Sequence, residues 1–281
     1  MEYRKKDLVE KIKFKKPLLK KFKEAVFDYE MINDGDRILV GFSGGKDSTA
    51  LALVMKYFQL TSGVNFYFET ITINYGMEGE SYKKQTDRLE EYDIKTNTFN
   101  TNIVELSQTK RNKDSSFCSF ISRMRRGKIT EFALENNFNK IALGHHLNDA
   151  AESLMMGILK NGKIRSLPPI YKNIHNQVII RPLILSKEKT LTKFTVMNKF
   201  NPIGDEMCPG KCLEINKDGM PTARYEMKNL LNGLEKENKE VFNSIERALR
   251  NLDKDALLVK EELKYFKKKN WIEKILNKFK K

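Results

Sequence analysis

Six consecutive residues carry the densest chemistry in the chain: Ser43, Gly44, Gly45, Lys46, Asp47 and Ser48. Two adjacent glycines let the backbone come close to an anion, and successive N–H groups can then converge on one concavity. Ser43 and Ser48 offer hydroxyls, Lys46 a cation, and Asp47 a carboxylate for Mg²⁺ or for capping a helix. Cys118, Cys208 and Cys212 form a second set. Three cysteines are an odd, small number that argues against a disulfide framework, and metal ligation, cluster ligation and redox chemistry stay open. His145 and His146 stand just ahead of Asp149, where either can hydrogen-bond a nucleotide or a carboxylate. Arg123, Arg125 and Arg126, with Arg181 further on, can grip phosphates bidentately.

The elements around these residues are readable from periodicity. Arg37–Val40 is a β-type run that leads into the glycine turn, and Ser48–Met55 is a helix-type run that leads out. Strand, turn and helix start make a phosphate cradle, because the helix N-terminus adds unpaired donors and partial positive charge. The spacing fits neither the Walker loop nor the dinucleotide fingerprint. Further along, Val64–Ile73 reads as a buried strand, Asn74–Glu80 as a glycine-containing loop, 81–92 as a helix, Ile94–Phe99 as a short strand and Ile103–Thr109 as a brief helix. Residues 110–117 are polar and expected to be mobile. A helix over Cys118–Asn136 carries the arginine trio, and Lys140–Leu143 is a strand whose exit, Gly144–His146, opens the next helix. Ile164–Ile170 is a Pro-containing loop, Val178–Leu183 a strand and Ser186–Phe200 a helix. This alternation predicts an α/β fold with a doubly wound parallel, Rossmann-like sheet, whose ligand crevice lies at the C-terminal ends of the strands.

Flanking segments complete the expected partition. Residues 1–34 form a basic helical arm, with Pro17 at a helix start, apolar positions Leu18, Phe22, Ala25, Val26 and Tyr29, and Gly35 as its stop. Residues 35–205 form the α/β domain that carries the glycine loop. Residues 206–281 hold a Gly/Pro/Cys knuckle and a basic helical extension. Its apolar stripe, Trp271, Ile272, Ile275, Leu276 and Phe279, with lysines around it, could dock on the core, touch nucleic acid or lie on a membrane, and core docking ranks first.

Composition narrows the partners. The chain has 281 residues, 52 Lys and Arg against 37 Asp and Glu, and a net charge of +15. That surplus points to a polyanion, nucleic acid above all. No apolar run approaches the roughly 18 residues of a membrane span, and the start of the chain is Lys-rich rather than apolar. The expectation is a cytoplasmic protein with no membrane partner.

Several stretches together resemble the tRNA 2-thiocytidine synthetases, in the sulfur-transferring branch of the PP-loop ATP pyrophosphatases. They are Asp28–Arg37, the Ser43–Ser48 loop, Ser122–Gly127, Ile141–His146, Pro168-Pro169 and Ile180–Leu183. The resemblance implies a PP-loop (HUP-type) fold and cleavage of ATP between its α and β phosphates. It implies adenylation of the C2 oxygen of a tRNA pyrimidine, an anticodon-loop cytidine, which is then replaced by sulfur to give 2-thiocytidine. It implies ATP binding by Ser43, Gly44, Gly45, Lys46, Asp47, Ser48, Gly144 and His145, catalytic roles for Asp47, Asp149 and Cys118, and Mg²⁺ on Asp47 or Asp149. Cys118, Cys208 and Cys212 would hold a [4Fe–4S] cluster with one iron open, and Arg123, Arg125, Arg126 and Arg181 would hold tRNA. The expected partners are tRNA and a sulfur donor, a cysteine desulfurase or sulfide; a homodimer is left open. The sequence departs from the family at Ile121, where a second cysteine is usual, at the wider Cys208–Cys212 spacing, and at Asn148, where an aspartate is common. A zinc knuckle and cysteine persulfide carriers stay as alternatives for the thiols. A lysidine synthetase, a small-molecule sulfur or amide transferase and a non-catalytic RNA-binding protein stay as alternatives for the whole.

Overall fold

The structure is a computed structural model that describes residues 2–111, 117–204, 209, 222–253 and 257. Residues 112–116 of the polar stretch, Cys208 and Cys212 with most of the knuckle, and the Trp271 stripe lie outside the described residues. The chain divides into two compact units, residues 1–242 and 243–281, and the second is described only through the end of one helix.

The first strand sets the layering. In β1 (Arg37–Gly41) successive side chains face opposite sides of the sheet. Ile38 and Val40 join one buried cluster, with α2 (Lys16–Asp28), α3 (Lys46–Thr61) and α8 (Glu188–Met197). Leu39 joins the other, with α5 (Ile103–Lys110) and α6 (Phe117–Glu135). The run Ala50–Met55 of α3 is buried on every side. A helix apolar all round must be covered all round, and α1 (Glu2–Lys11), α8 and the sheet do this.

Among the described residues six strands form the sheet: β2 (Tyr67–Asn74), β3 (Thr96–Asn100), β4 (Lys140–Ala142), β5 (Ile170–Lys172) and β6 (Val178–Ile180) join β1, in the order β3-β2-β1-β4-β6-β5. The chain runs outward from β1 to β3, then returns to place β4 on the other flank of β1, with Leu39 beside both Glu69 and Ile141. The crevice between the ends of β1 and β4 is therefore a topological switch point, the usual ligand site of such sheets.

The sheet is parallel as expected except at its edge, where β5 pairs antiparallel with β6. Only residues 173–177 join these strands, too few for a parallel crossover, and Asn176 turns the chain at φ +60. The N-terminal arm holds two helices, and α2 ends at Asp28 rather than at Gly35. Glu30 takes the left-handed conformation (φ +48), which lets the Met31 N–H bond back to Val26 O at 2.9 Å. Gly35 (φ +80) instead serves the turn into β1. The apolar face Leu18, Phe22, Ala25 and Val26 is buried as expected.

The remaining described helices are α4 (Lys83–Glu90), α7 (Leu147–Asn161), α9 (Thr222–Glu237) and α10 (Val241–Arg250). No helix among the described residues is long and apolar enough to cross a membrane.

Candidate active site

β1 ends and the chain turns sharply before α3. Gly44 makes that turn with φ +72, and a Cβ there would lie 2.6 Å from Ile203 Cδ1. The Ile203 N–H bonds to Gly44 O at 2.8 Å, so residues 202–204 lie across the loop. Ser48 Oγ accepts from the Ser43 N–H at 3.1 Å and donates to Gly45 O at 3.0 Å, which closes the loop on itself. The exit of β4 packs behind it: a Cβ on Gly144 would sit 3.2 Å from Asp47 C and Ser48 N. Glycine at 144 thus lets two strand exits share one crevice.

Charge in this crevice is tightly arranged. Lys46 Nζ lies 3.1 Å from Asp47 Oδ2 and 2.9 Å from Glu188 Oε1. Burial disfavours its cation, yet Asp47 and Glu188 outweigh that and raise its pKa. Burial likewise works against the Asp47 carboxylate, but His146 and Lys46 hold its pKa below the usual value. Asp47 Oδ1 is buried with no hydrogen-bond partner among the described residues. An orphaned carboxylate oxygen beside a phosphate cradle fits a divalent cation.

His146 ties the two strand exits together. It caps α7 in a reciprocal box: its Nδ1 accepts from the Asp149 N–H at 3.4 Å, and Asp149 Oδ2 accepts from the His146 N–H at 2.9 Å. Its Nε2 lies 3.7 Å from Asp47 Oδ2. Burial pulls the His146 pKa down, but Asp47 and Asp149 reverse this and raise it above 6.5. Its neighbour behaves oppositely. His145 Nδ1 accepts from Arg181 Nε at 3.2 Å, and burial, helped by Arg181, lowers its pKa to about 4. One histidine is thus drawn towards the cation and the other held neutral.

A cavity of about 590 Å³ opens in front of the loop. Ser43, Gly45, Lys46 and Asp47 form one wall, and Ile73 and Tyr75 at the end of β2 another. Cys118, Ser122 and Arg125 face it from α6, together with Ile121. Positions 118, 121, 122 and 125 follow the i, i+3, i+4, i+7 pattern that places side chains on one helix face. Pro209, the chain neighbour of Cys208, also lines this cavity.

The structure therefore brings Ser43–Ser48, Gly144, Cys118 and Arg125 to the crevice. Asp149 joins through His146. Arg123 and Arg126 are exposed on α6, away from this cavity. Arg181 is only 5% exposed; it donates to Pro168 O and His145 and stacks on Tyr171 at 5.0 Å. Cys208 and Cys212 lie outside the described residues, and the described residues include no group of three metal-ligating side chains.

Sequence reasoning missed several residues. Glu80 accepts from the Tyr75 and Met77 N–H groups and from the Tyr82 hydroxyl at 2.7 Å, and so fixes both cavity tyrosines; burial beside this carboxylate pushes the Tyr82 pKa up. Glu188 restrains Lys46 from the first turn of α8. Arg224 of α9 bridges Asp149 and Glu152, with its Nε 2.8 Å from Glu152 Oε2. Only the glycine-containing loop after β2 gave a local hint of its residues. Arg224 and Glu188 come from helices distant in sequence.

A PP-loop domain family matches residues 9–209. A tRNA-cytidine(32) 2-sulfurtransferase of Coxiella burnetii is 33% identical over 256 residues, which span 91% of this chain and 96% of that protein. One of Legionella pneumophila is 33% identical over 244 residues, 86% of this chain and 83% of that protein. Among solved structures, the U34-tRNA thiolase NcsA from Methanococcus maripaludis with its [4Fe-4S] cluster superposes with a TM-score of 0.62 at 21% identity, over 84% of this chain and 80% of that one. The last likeness establishes the fold. By the extent of these matches, the chain belongs to the PP-loop family and, within it, to the tRNA-cytidine(32) 2-sulfurtransferases.

Proposed function

We propose that this protein thiolates tRNA: it spends ATP to adenylate the C2 oxygen of a cytidine and replaces that oxygen with sulfur. The observation that carries the reading is one cavity in which a PP-loop and a cysteine, Cys118, face each other. An oxygen on a pyrimidine ring is a poor leaving group. It attacks the α phosphorus, the bond to pyrophosphate breaks, and the oxygen becomes the ester oxygen of an adenylate that can leave as AMP. Sulfur at the sulfide level then bonds to C2, and AMP leaves with the oxygen and its electron pair. The exchange is redox-neutral, so no oxidant or reductant is needed.

The chain's own residues have distinct parts. Ser43, Gly44, Gly45 and Ser48 surround the departing pyrophosphate, and Lys46 neutralises it once released from Glu188. Loss of one such donor costs roughly 2.7–4 kcal/mol of barrier. Asp47, with its orphaned Oδ1, would hold Mg²⁺, which shields phosphate charge. Asp149 is already paired with Arg224 and the His146 cap, which favours a positioning part for it. Ile73 and Tyr75 offer an apolar wall for the adenine. Arg125, on the cavity wall, is suited to the α phosphate or to the tRNA phosphate beside the target.

The donor set also fits an iron–sulfur cluster. Thiolate is the ligand such clusters take. Cys118 is half-buried on the wall, Pro209 brings the chain beside Cys208 to the same wall, and Cys212 follows four residues later. Zinc is less well served, because the cap engages His146 and Arg181 engages His145. When bound by Cys118, Cys208 and Cys212, a [4Fe–4S] cluster would supply one iron free of protein ligands for carrying sulfur. A cysteine desulfurase or sulfide is the proposed source, and the cytoplasm the proposed compartment.

Anaerobically purified protein incubated with tRNA, ATP, Mg²⁺ and sulfide tests the reading. Nucleoside mass spectrometry should show 2-thiocytidine, with one pyrophosphate released per sulfur. Serine at each cysteine in turn should abolish sulfur incorporation. If the three serine variants keep full tRNA-modifying activity, a lysidine-type reaction replaces thiolation.

A further inference from the structure

A second cavity, of about 560 Å³, opens between α6, α7, α9 and the loop that follows α7. Its floor carries His145, Asp149, Glu152 and Arg224, and its rim carries Arg126, Lys163 and Arg165. The two floor carboxylates are taken by Arg224. The three rim cations are exposed, and none has an ion-pair partner among the described residues. The nearby Lys160, in contrast, pairs with Glu226 at 2.8 Å. Like charges gathered without counter-charges repel one another and suit a polyanion.

The loop that bears Lys163 and Arg165 is firmly seated. Gly162 ends α7 in the left-handed conformation (φ +59), and the Lys163 N–H bonds to Gly157 O at 2.8 Å. Ser166 Oγ donates to Ala150 O at 2.7 Å. A Cβ on Gly157 would lie 2.7 Å from Lys163 O and 2.8 Å from Arg165 O. Backbone therefore rests on backbone at a spot that only glycine leaves open, and the two cations project from a fixed platform. Ile164, between them, is 60% exposed. Arg126 also borders a third cavity, lined by Arg123, Lys172, Ile174 and His175, so the basic surface continues past it.

We propose that the loop 162–167 and Arg126 form an RNA-backbone clamp. Lys163, Arg165 and Arg126 hold neighbouring phosphates of a single-stranded tRNA loop, and Ile164 packs on the face of an unstacked base. Single-stranded RNA offers unstacked base faces between its phosphates, which suits two cations flanking an exposed apolar side chain, and a duplex would leave Ile164 without a surface to pack on. The clamp rests on the thiolation reading and adds the surface that holds its substrate.

The test measures tRNA affinity across a KCl series for wild type, Lys163→Ala/Arg165→Ala, Gly157→Ala and a control, Lys84→Ala/Lys193→Ala, which removes equal charge elsewhere. ATP binding on each preparation reports an intact fold. At about 0.15 M KCl the Lys163/Arg165 variant should bind tRNA roughly tenfold more weakly than the control. Its plot of log affinity against log salt should flatten by about 1.4, two single-strand phosphate contacts. Gly157→Ala should weaken tRNA binding although every cation remains. If it fails to bind ATP, the double variant decides alone. A double variant matching the control in affinity and slope, while wild type thiolates tRNA, overturns the clamp and leaves the activity standing. A wild type that neither binds nor thiolates tRNA overturns the reading beneath it.

Discussion

Asp47 is where two demands meet, since its Oδ2 faces Lys46 and His146 while its Oδ1 is buried with no hydrogen-bond partner among the described residues. Asp47→Asn keeps the shape and removes the charge. ATP should still bind, with pyrophosphate release slowed by about 10²–10³-fold and a raised Mg²⁺ requirement, both readable from a coupled pyrophosphate assay across a Mg²⁺ titration. The adjacent histidines give a pH signature of opposite signs. His145 has a folded pKa of about 4, below its ordinary 6.5. Between those values the unfolded chain binds a proton that the native chain refuses, so stability rises with pH there. His146, with its pKa raised, contributes stability that is full below 6.5 and is lost as pH rises through the folded value. Melting curves from pH 4 to 7 should show that His145→Gln lacks part of the wild-type rise. Identical profiles would remove the argument for a neutral His145.

Two strand exits and one late helix make the site, and each depends on a close approach. Gly144 rests on the backbone of Asp47 and Ser48, which cannot swing aside like a side-chain tip. Gly144→Ala should push α3 away from the crevice and cut turnover by more than tenfold, with melting lowered by only a few degrees, as stopped assays and calorimetry on one preparation would show. Arg224 brings α9 onto α7 by bridging Asp149 and Glu152. Without it two acids stand close, and burial already raises the Glu152 pKa. Arg224→Met should destabilise the protein by about 1–3 kcal/mol in urea unfolding. Arg224→Lys should recover only part of that, because a single ammonium cannot copy the two-pronged contact.

Across the molecule, the surplus of positive charge reported in the sequence acquires an address. Arg126 of α6 and Lys163 and Arg165 of the loop after α7 border the second cavity with no ion-pair partner among the described residues, whereas Lys46, Lys140 and Lys189 are each answered by an acid. Association with tRNA should therefore slow steeply as salt rises, while ATP binding changes little, and stopped-flow traces at two KCl concentrations would show the contrast. Anaerobic protein should also carry iron and acid-labile sulfide and absorb in the visible. Chelation of the iron should abolish thiolation and leave ATP binding intact.

Much of this was written in local pattern. The run Arg37–Val40, the glycine pair and the apolar helix after it named the cradle because strand, turn and helix each obey short-range rules of backbone geometry. The helix that carries Cys118 and Arg125 was legible as well. Contacts between distant segments were not legible in this way. Nothing near Arg181 says that it would be buried against His145, nothing near Glu188 or Arg224 says that it would meet Lys46 or Asp149, and the short antiparallel edge strand starts only at the last residue of a proline-containing loop. Periodicity encodes which face of an element is apolar, so it yields the elements and their order. Which polar side chains then meet depends on how those faces stack in three dimensions, and only folding brings together partners many residues apart.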